Sequence, residues 1–398
     1  MQILLPVSFI SIIGYLGLQD KKSRNIYFVF VSMLIAVVAF TYQPHMGDDL
    51  LREYQDLDNI RKFGWSYFVM NDKKFHGLYV TQLYYYFFSK LQINNLLPAV
   101  TTFLGYYFSF KALNKISDRC ELSAINIWYV FSYIICVRET YMIFSNIRNQ
   151  LAFVIFAYYL YIDLVEKRKR LLCFTIYLIT IMIHQSAIIL LAFRLICLIP
   201  YNLIKKMIII LMLFWSNELT AILAFLKEHT NIPFLGNLNL FYKLSIYTSI
   251  DPYNGGNASN IIVSSFYIKF MISNVFILIL ILISVYTCNN LNSEKEQILS
   301  DKSMPNRMEM SNYLMYALLL TCFTIGSCAY YWIYLRFSVM VQLVGIIVIA
   351  YTLKLYSYRK VSNKNYILIL ITASLIKMGI MMLVVNRSMH FSLFGIWS

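Results

Sequence analysis

A charged side chain inside an apolar stretch costs about 2.5–3.5 kcal/mol on insertion scales, so each one that persists there is a candidate for chemistry. In this chain such residues near the ends of apolar runs are Arg138, Glu139, Arg148, His184 and Arg336, with Arg194 and Lys377 as outliers. Arg148 stands in "FSNIRNQLAF", between two runs that each suit a membrane helix, beside Ser145, Asn146, Asn149 and Gln150. Free backbone N–H groups at a helix start and a bidentate guanidinium together make an anion site. If the preceding segment stays helical, Tyr141, Ser145 and Arg148 fall on one face. The alternative is an arginine that snorkels to lipid headgroups.

His184 is the histidine inside an apolar run, whereas His45, His76, His229 and His390 fall in polar segments or near the tail. Helical spacing puts Tyr177, Thr180 and His184 on one face, and a neutral imidazole at a helix end could take a proton from a hydroxyl. The competing reading is a packing histidine. Arg336, in "YYWIYLRFSV", has Tyr330, Tyr331, Trp332 and Tyr334 around it, which suit either an interfacial aromatic belt or a stacking surface for sugar rings. The segment "YQPHMGDDLLREYQDLD" offers Asp48 and Asp49 to a polar substrate. With His45 they resemble a metal site only loosely, and Asp56 and Asp58 read as solvated acids.

The elements that must hold these residues are membrane helices. The 398 residues are 60% hydrophobic and 13% charged, against about 25% charged in soluble domains. Spans need roughly 20 apolar residues each, and such runs recur along the whole chain, which predicts an all-α polytopic bundle forming a single transmembrane domain, 1–398. The net charge of +15 falls in short segments between runs, at 20–24, 111–119, 166–170, 204–206, 293–307 and 354–364. It reads as inside-facing topology and excludes nucleic acid as the partner.

With two crossings between consecutive basic segments, helices are predicted at 2–19, 26–42, 95–112, 123–142, 150–165, 171–183, 186–199, 207–226, 261–287, 312–331, 337–355 and 365–385. That is about twelve spans, with both termini outside. The outside face takes 43–77, 138–149, 184–185, 227–260, 330–336 and the tail after 386. The N-terminus is apolar first and basic afterwards, so it reads as a first helix and not as a cleaved signal. Residues 78–92 are too polar for a span and predict an aromatic helix lying in the interface. The seven cysteines show no metal spacing and none lies in a segment placed outside, which argues against a disulfide framework.

The stretches "GDDLLREY", "NIRNQLAFVIFAYYLY", "IHQSAIILLAF" and "YLRFSV", in this order, resemble the EpsG family, which belongs with the Wzy-type polymerases of O-antigen, capsule and exopolysaccharide pathways. The resemblance covers roughly 40–355, with "IRNQLA" and "IHQSA" its most specific parts. The segment 78–92 is unusually rich in tyrosine for that group, and the outside loop 227–260 is short.

The resemblance implies a membrane glycosyltransferase of GT-C-like architecture in the bacterial inner membrane, with its active face outside. Donor and acceptor would be oligosaccharide repeat units on undecaprenyl pyrophosphate. Arg148 and Arg336 would hold the pyrophosphate leaving group, with Arg138 and Gln150 as second choices. His184 would orient or deprotonate the acceptor hydroxyl, and Asp48 or Asp49 is the rival base. Asn149 and Tyr331 complete the candidate substrate-binding set. Membrane lipid and a chain-length regulator are the further candidate partners, and no cofactor or metal is implied. Two other functions fit an apolar bundle with outer cations. A flippase should carry polar groups deep in a central cavity and in both halves of its helices. An acyltransferase commonly sets an acid beside its membrane histidine, which "IHQS" lacks.

Overall fold

The computed structural model describes residues 4–15, 20–44, 48–138, 140–200, 203–215, 265–293, 307–328 and 330–385. The expected loop 227–260, the tail after 386, and His45, Glu139, His229 and His390 lie outside them.

The described residues are helical nearly throughout. In order the helices are α1 (Leu4–Gly14), α2 (Lys21–Phe40), α3 (Asp49–Phe63), α4 (Ser66–Met70), α5 (Asp72–Phe75), α6 (Tyr79–Lys90), α7 (Leu96–Arg119), α8 (Ala124–Val137), α9 (Thr140–Ser145) and α10 (Ile147–Tyr161). A π-helical turn (Ile162–Glu166) extends α10 and is followed by α11 (Arg170–Ile183), α12 (Ala187–Ile196), α13 (203–215), α14 (Ser265–Ser293), α15 (Arg307–Gly326), α16 (Tyr331–Arg359) and α17 (Lys364–Val385). Each apolar run of the sequence contains one of these helices. Among the described residues four segments are long and apolar enough to cross a membrane: Lys21–Phe40, Ile268–Leu291, Trp332–Arg359 and Lys364–Met381.

The bundle is built around α16. Of its apolar window 94% is buried, because it packs against α7, α8, α10, α14 and α15. Gly345 makes this close approach possible. A Cβ there would stand 2.5 Å from Ile281 Cδ1 on α14 and 2.8 Å from Tyr133 Oη on α8. The Tyr133 hydroxyl uses the space to donate to the Gln342 carbonyl at 3.1 Å. At one flank Tyr15, Phe28, Phe110 and Phe131 stack, tying α1, α2, α7 and α8 together.

The basic segments extend the helices where loops were expected. Arg24 donates to Asn114 Oδ1 at 2.8 Å and to Asp118 Oδ1 at 2.6 Å, so α2 and the last turns of α7 are clamped at that end. Lys115 of α7 pairs with Glu166 at 2.9 Å. Partnered acids therefore hold part of the positive charge in fixed places.

The opposite end departs most from expectation. Residues 43–77 are not an open loop: 49–75 fold into α3, α4 and α5, and α6 follows as the expected aromatic helix. Leu50, Leu57 and Ile60 of α3 lie in one apolar cluster with Tyr67, Phe68, Phe75, Tyr85 and Phe88. The same cluster takes in Tyr42, Phe144, Ile147 and Leu335, so this four-helix layer is seated on the ends of the long helices. Thr81 Oγ1 donates to the Ile183 carbonyl at 2.8 Å, fixing α6 to the end of α11. The run 312–331 also stops early, at Gly326, which leaves Cys328 exposed in a turn while the other six cysteines are buried in helix packing. The expected span through 331 is corrected there.

Candidate functional site

The chain between α8 and α10 breaks twice, and both breaks place an arginine. The expected helix through 142 ends at Val137, because Arg138 takes an extended backbone (φ −67°, ψ 122°). A second break falls at Asn146 (φ −109°, ψ 56°), where neighbouring Ser and Asn side chains compete with helical bonding. Tyr141, Ser145 and Arg148 therefore do not continue one helix face. Instead Arg148 is the second residue of α10, in the first turn, where backbone N–H groups lack intrahelical partners.

Arg148 meets an acid. Its Nε lies 3.4 Å from Glu53 Oε1, with 22% of the arginine side chain and 7% of the glutamate exposed. Glu53 comes from α3, and its other oxygen accepts a hydrogen bond from the Tyr85 hydroxyl on α6. Burial pushes the Glu53 carboxyl above the usual carboxylate range, while the charges of Arg148 and Lys74 pull it back. Asp56, one turn on, is also buried. It accepts from Tyr67 at 2.7 Å and pairs with Lys74. Burial and the nearby Asp56 push the Tyr67 hydroxyl up to about 12. The solvated reading of Asp56 is thus corrected, whereas Asp58 is 54% exposed beside Arg61.

Sequence reading missed Glu53, although a signal exists. Leu50, Glu53, Leu57 and Ile60 recur at helical spacing, and all four are buried. A carboxylate on the apolar face of a short helix needs a partner, and Arg148 is that partner. The two rival acids meet partners of their own. Asp48 accepts from Tyr42 Oη at 2.5 Å, and Asp49 pairs with Arg52 in the first turn of α3, where a negative charge suits the helix dipole.

His184 is brought to the same place, but off its helix. It caps α11 with φ −149° and ψ 122°, so it leaves the face that carries Tyr177 and Thr180. Its Nδ1 lies 2.6 Å from Ser186 Oγ, which in turn reaches Asn149 Oδ1 at 3.4 Å. Asn149 directly follows Arg148, so the imidazole is linked to the start of α10 through one serine. The Ser186 N–H lies 3.3 Å from the same Nδ1, so the ring is held by both the backbone and the hydroxyl of Ser186.

Arg138 and Gln150 are brought to each other. Arg138, 4% exposed, donates to Gln150 Oε1 at 3.0 Å, to Gly105 O at 3.0 Å and to Ser109 Oγ at 2.6 Å. It ties α7 to the start of α10. Arg336 is half-buried in the second turn of α16. Leu335 beside it and Ile147 beside Arg148 belong to one apolar cluster, which is how α16 and α10 meet at this end. Tyr331 opens α16, and its side chain lies outside the described residues. Among the described residues no three His, Cys, Asp or Glu side chains could hold a metal ion.

The two outlying cations are accounted for inside the bundle. Arg194 is held by Asp163 through Nε at 2.5 Å and Nη2 at 3.2 Å, both residues sealed from solvent, and Tyr177 donates to the same acid at 3.1 Å. Lys377, fully buried, donates to Asn274 Oδ1 at 2.6 Å and Ser273 Oγ at 3.2 Å and lies over the Phe270 ring. Polar and aromatic groups on α14 stabilise its charge in the interior.

The family model described as the EpsG family matches residues 4–394 of this chain. No curated protein and no solved structure matches it.

Proposed function

The chain belongs to the EpsG family, membrane proteins associated with polysaccharide-polymerase-like activity, and on that premise we propose that it joins lipid-linked oligosaccharide repeat units at the outer face of the bacterial inner membrane. The single observation that carries this reading is the first turn of α10. Arg148 stands there in a turn that no side chain of the N-cap Asn146 closes, with Asn149, Ser186 and His184 linked beside it. Such an arrangement suits a substrate that is anionic at one end and bears sugar hydroxyls at the other. The helices cross the membrane about twelve times in a GT-C-like bundle, with the α3 to α6 layer outside.

In this reaction the donor glycan leaves undecaprenyl pyrophosphate and is transferred to a hydroxyl of the acceptor repeat. Arg148 binds the pyrophosphate, and its fixed guanidinium stabilises the negative charge that grows on the leaving oxygen. Arg336 contributes a second cation from α16, and Arg138 with Gln150 fixes the helix start against α7. His184 orients the acceptor hydroxyl. Asp48 and Asp49 border the path by which the glycan enters. The flippase reading is weaker because these groups gather at one end of the bundle. The acyltransferase reading draws no support from the His184 ring, whose Nδ1 meets the Ser186 hydroxyl.

Deletion of the gene, followed by gel analysis of surface glycan, tests the proposal. The expected result is loss of the ladder with one capped repeat retained. Loss of all surface repeats, with lipid-linked units held inside, would establish transport instead. His184→Ala is expected to lose most polymer while the protein stays at its normal level. A normal ladder in that variant leaves His184 a packing residue.

A further inference from the structure

Two of the arginine and carboxylate pairs have opposite character, and the contrast assigns a role. Asp163 and Arg194 form a closed pair, with two contacts at 2.5 and 3.2 Å and almost no exposure on either side chain. Nothing else can enter it. Glu53 and Arg148 meet through one atom pair at 3.4 Å, longer than the 2.7–2.9 Å of a tight charge-assisted bond, and the arginine remains 22% exposed. The Nη edge of Arg148 engages no carboxylate among the described residues. This pair is open on the side where an anion would arrive.

Glu53 is also held in a manner that suits proton transfer. Tyr85 on α6 fixes one oxygen by donating to it, and Arg148 at the start of α10 lies against the other. Lys74 on α5, and Asp56 and Asp49 on its own helix, are the remaining charges that act on it. Lys74 is already committed to Asp56. Asp48 is bonded to Tyr42 and Asp49 to Arg52, which leaves Glu53 as the buried acid that directly contacts the arginine of the candidate site. The neighbouring imidazole has its Nδ1 engaged by Ser186, through the hydroxyl at 2.6 Å and the backbone N–H at 3.3 Å.

We propose that Glu53 is the general base of the transfer, a role that rests on the glycosyltransferase reading above. The acceptor hydroxyl gives its proton to the Glu53 carboxylate. Its oxygen uses the freed electron pair to form the new bond to the donor anomeric carbon. The bond from that carbon to the pyrophosphate oxygen breaks, and its electrons leave with the lipid pyrophosphate on Arg148. Protonation also discharges Glu53, so Arg148 loses its internal counter-charge as negative charge develops on the leaving group. The arginine thus interacts more strongly with the transition state than with the ground state, which is the condition for catalysis. The protonated acid then returns its proton to water when the product leaves.

The test uses membranes carrying the full chain, supplied with lipid-linked repeat units. Failure of the wild-type chain to extend them overturns the transferase reading itself. Where the wild type extends them, Glu53→Gln keeps the shape and is expected to lose about 100-fold or more in rate at equal protein level. Retained extension by Glu53→Gln overturns only the role of Glu53. Glu53→Ala is expected to release lipid pyrophosphate and form a glycosyl azide when azide is added, because azide attacks without surrendering a proton. A residue that merely positions Arg148 gives no such rescue, and absence of azide product from a chain at wild-type level overturns the base assignment. The wild-type rate should fall as pH drops through a value above the ordinary carboxylate range, since the base must be ionised. Glu53→Asp should move that limb, and an unmoved limb counts against the assignment.

Discussion

Arg148→Ala is expected to abolish long-chain glycan while single lipid-linked repeats persist. The side chain sits in the first turn of α10, and its only carboxylate contact in the described residues is the open one to Glu53. Removing one preorganised group that stabilises transition-state charge costs about 100- to 1000-fold in turnover. A polymer needs many successive transfers, so a loss of that size in each one shortens the product to its starting unit. Arg148→Lys keeps the charge but not the planar fork and should recover only a part. The readout is the banding of extracted glycan, with the level of the membrane protein measured beside it. Normal chain lengths from Arg148→Ala at normal protein level would exclude an anion site there. Loss of the protein from the membrane would instead show that the pair with Glu53 holds the α3 to α6 layer in place.

The second large effect concerns folding. Arg194→Ala should leave Asp163 as an uncompensated carboxylate in a sealed interior, at a cost of about 3–5 kcal/mol, against about 5–15 kcal/mol for the whole stability of a typical protein. The Tyr177 hydroxyl would remain as a partner for Asp163, which is too little for a buried charge. The expected result is a strong fall in folded protein, seen as reduced membrane level and a lower midpoint of thermal unfolding in detergent. Replacing both residues together, Asp163→Leu with Arg194→Leu, should restore much of the loss, because apolar substitution of a whole buried pair is often neutral. If the double variant were no better than the single one, the pair would be valued for something other than charge balance. Glycan synthesis should follow protein level in this series, in contrast with Arg148→Ala.

The two arginines illustrate how far sequence alone can reach. Both are single cations in or beside apolar runs, and insertion cost marks both as needing an explanation. Arg148 could be read further because Asn146 and the polar residues after it signal a helix start, and the helix does begin there, at Ile147. The family resemblance was legible from "IRNQLA" and "IHQSA", and the family match covers nearly the whole chain. Arg194 could not be resolved in this way. Its partner Asp163 belongs to a different apolar run and lies in the π-helical turn that ends α10.

His184 and Glu53 mark the opposite errors. Helical periodicity assigned His184 to a face with Tyr177 and Thr180, yet the helix ends at Ile183, as the expected span 171–183 has it, and the ring beyond that end turns toward Ser186. Glu53 was passed over inside an acidic stretch read as solvated, because composition outweighed the spacing of Leu50, Leu57 and Ile60 around it.

The sequence by itself determined that this is a helical membrane protein, where its apolar helices fall, and that Arg148 opens one of them. Those are local or compositional properties, fixed by hydrophobicity and by turn chemistry within a few residues. Only the tertiary structure decided which polar partner meets which cation: Glu53 with Arg148 in an open pair, Asp163 with Arg194 in a closed one, Gln150 with Arg138 across a break. A charge in a low-dielectric interior must find a partner, yet the partner need not be near in the chain. Its identity is set by how the helices pack.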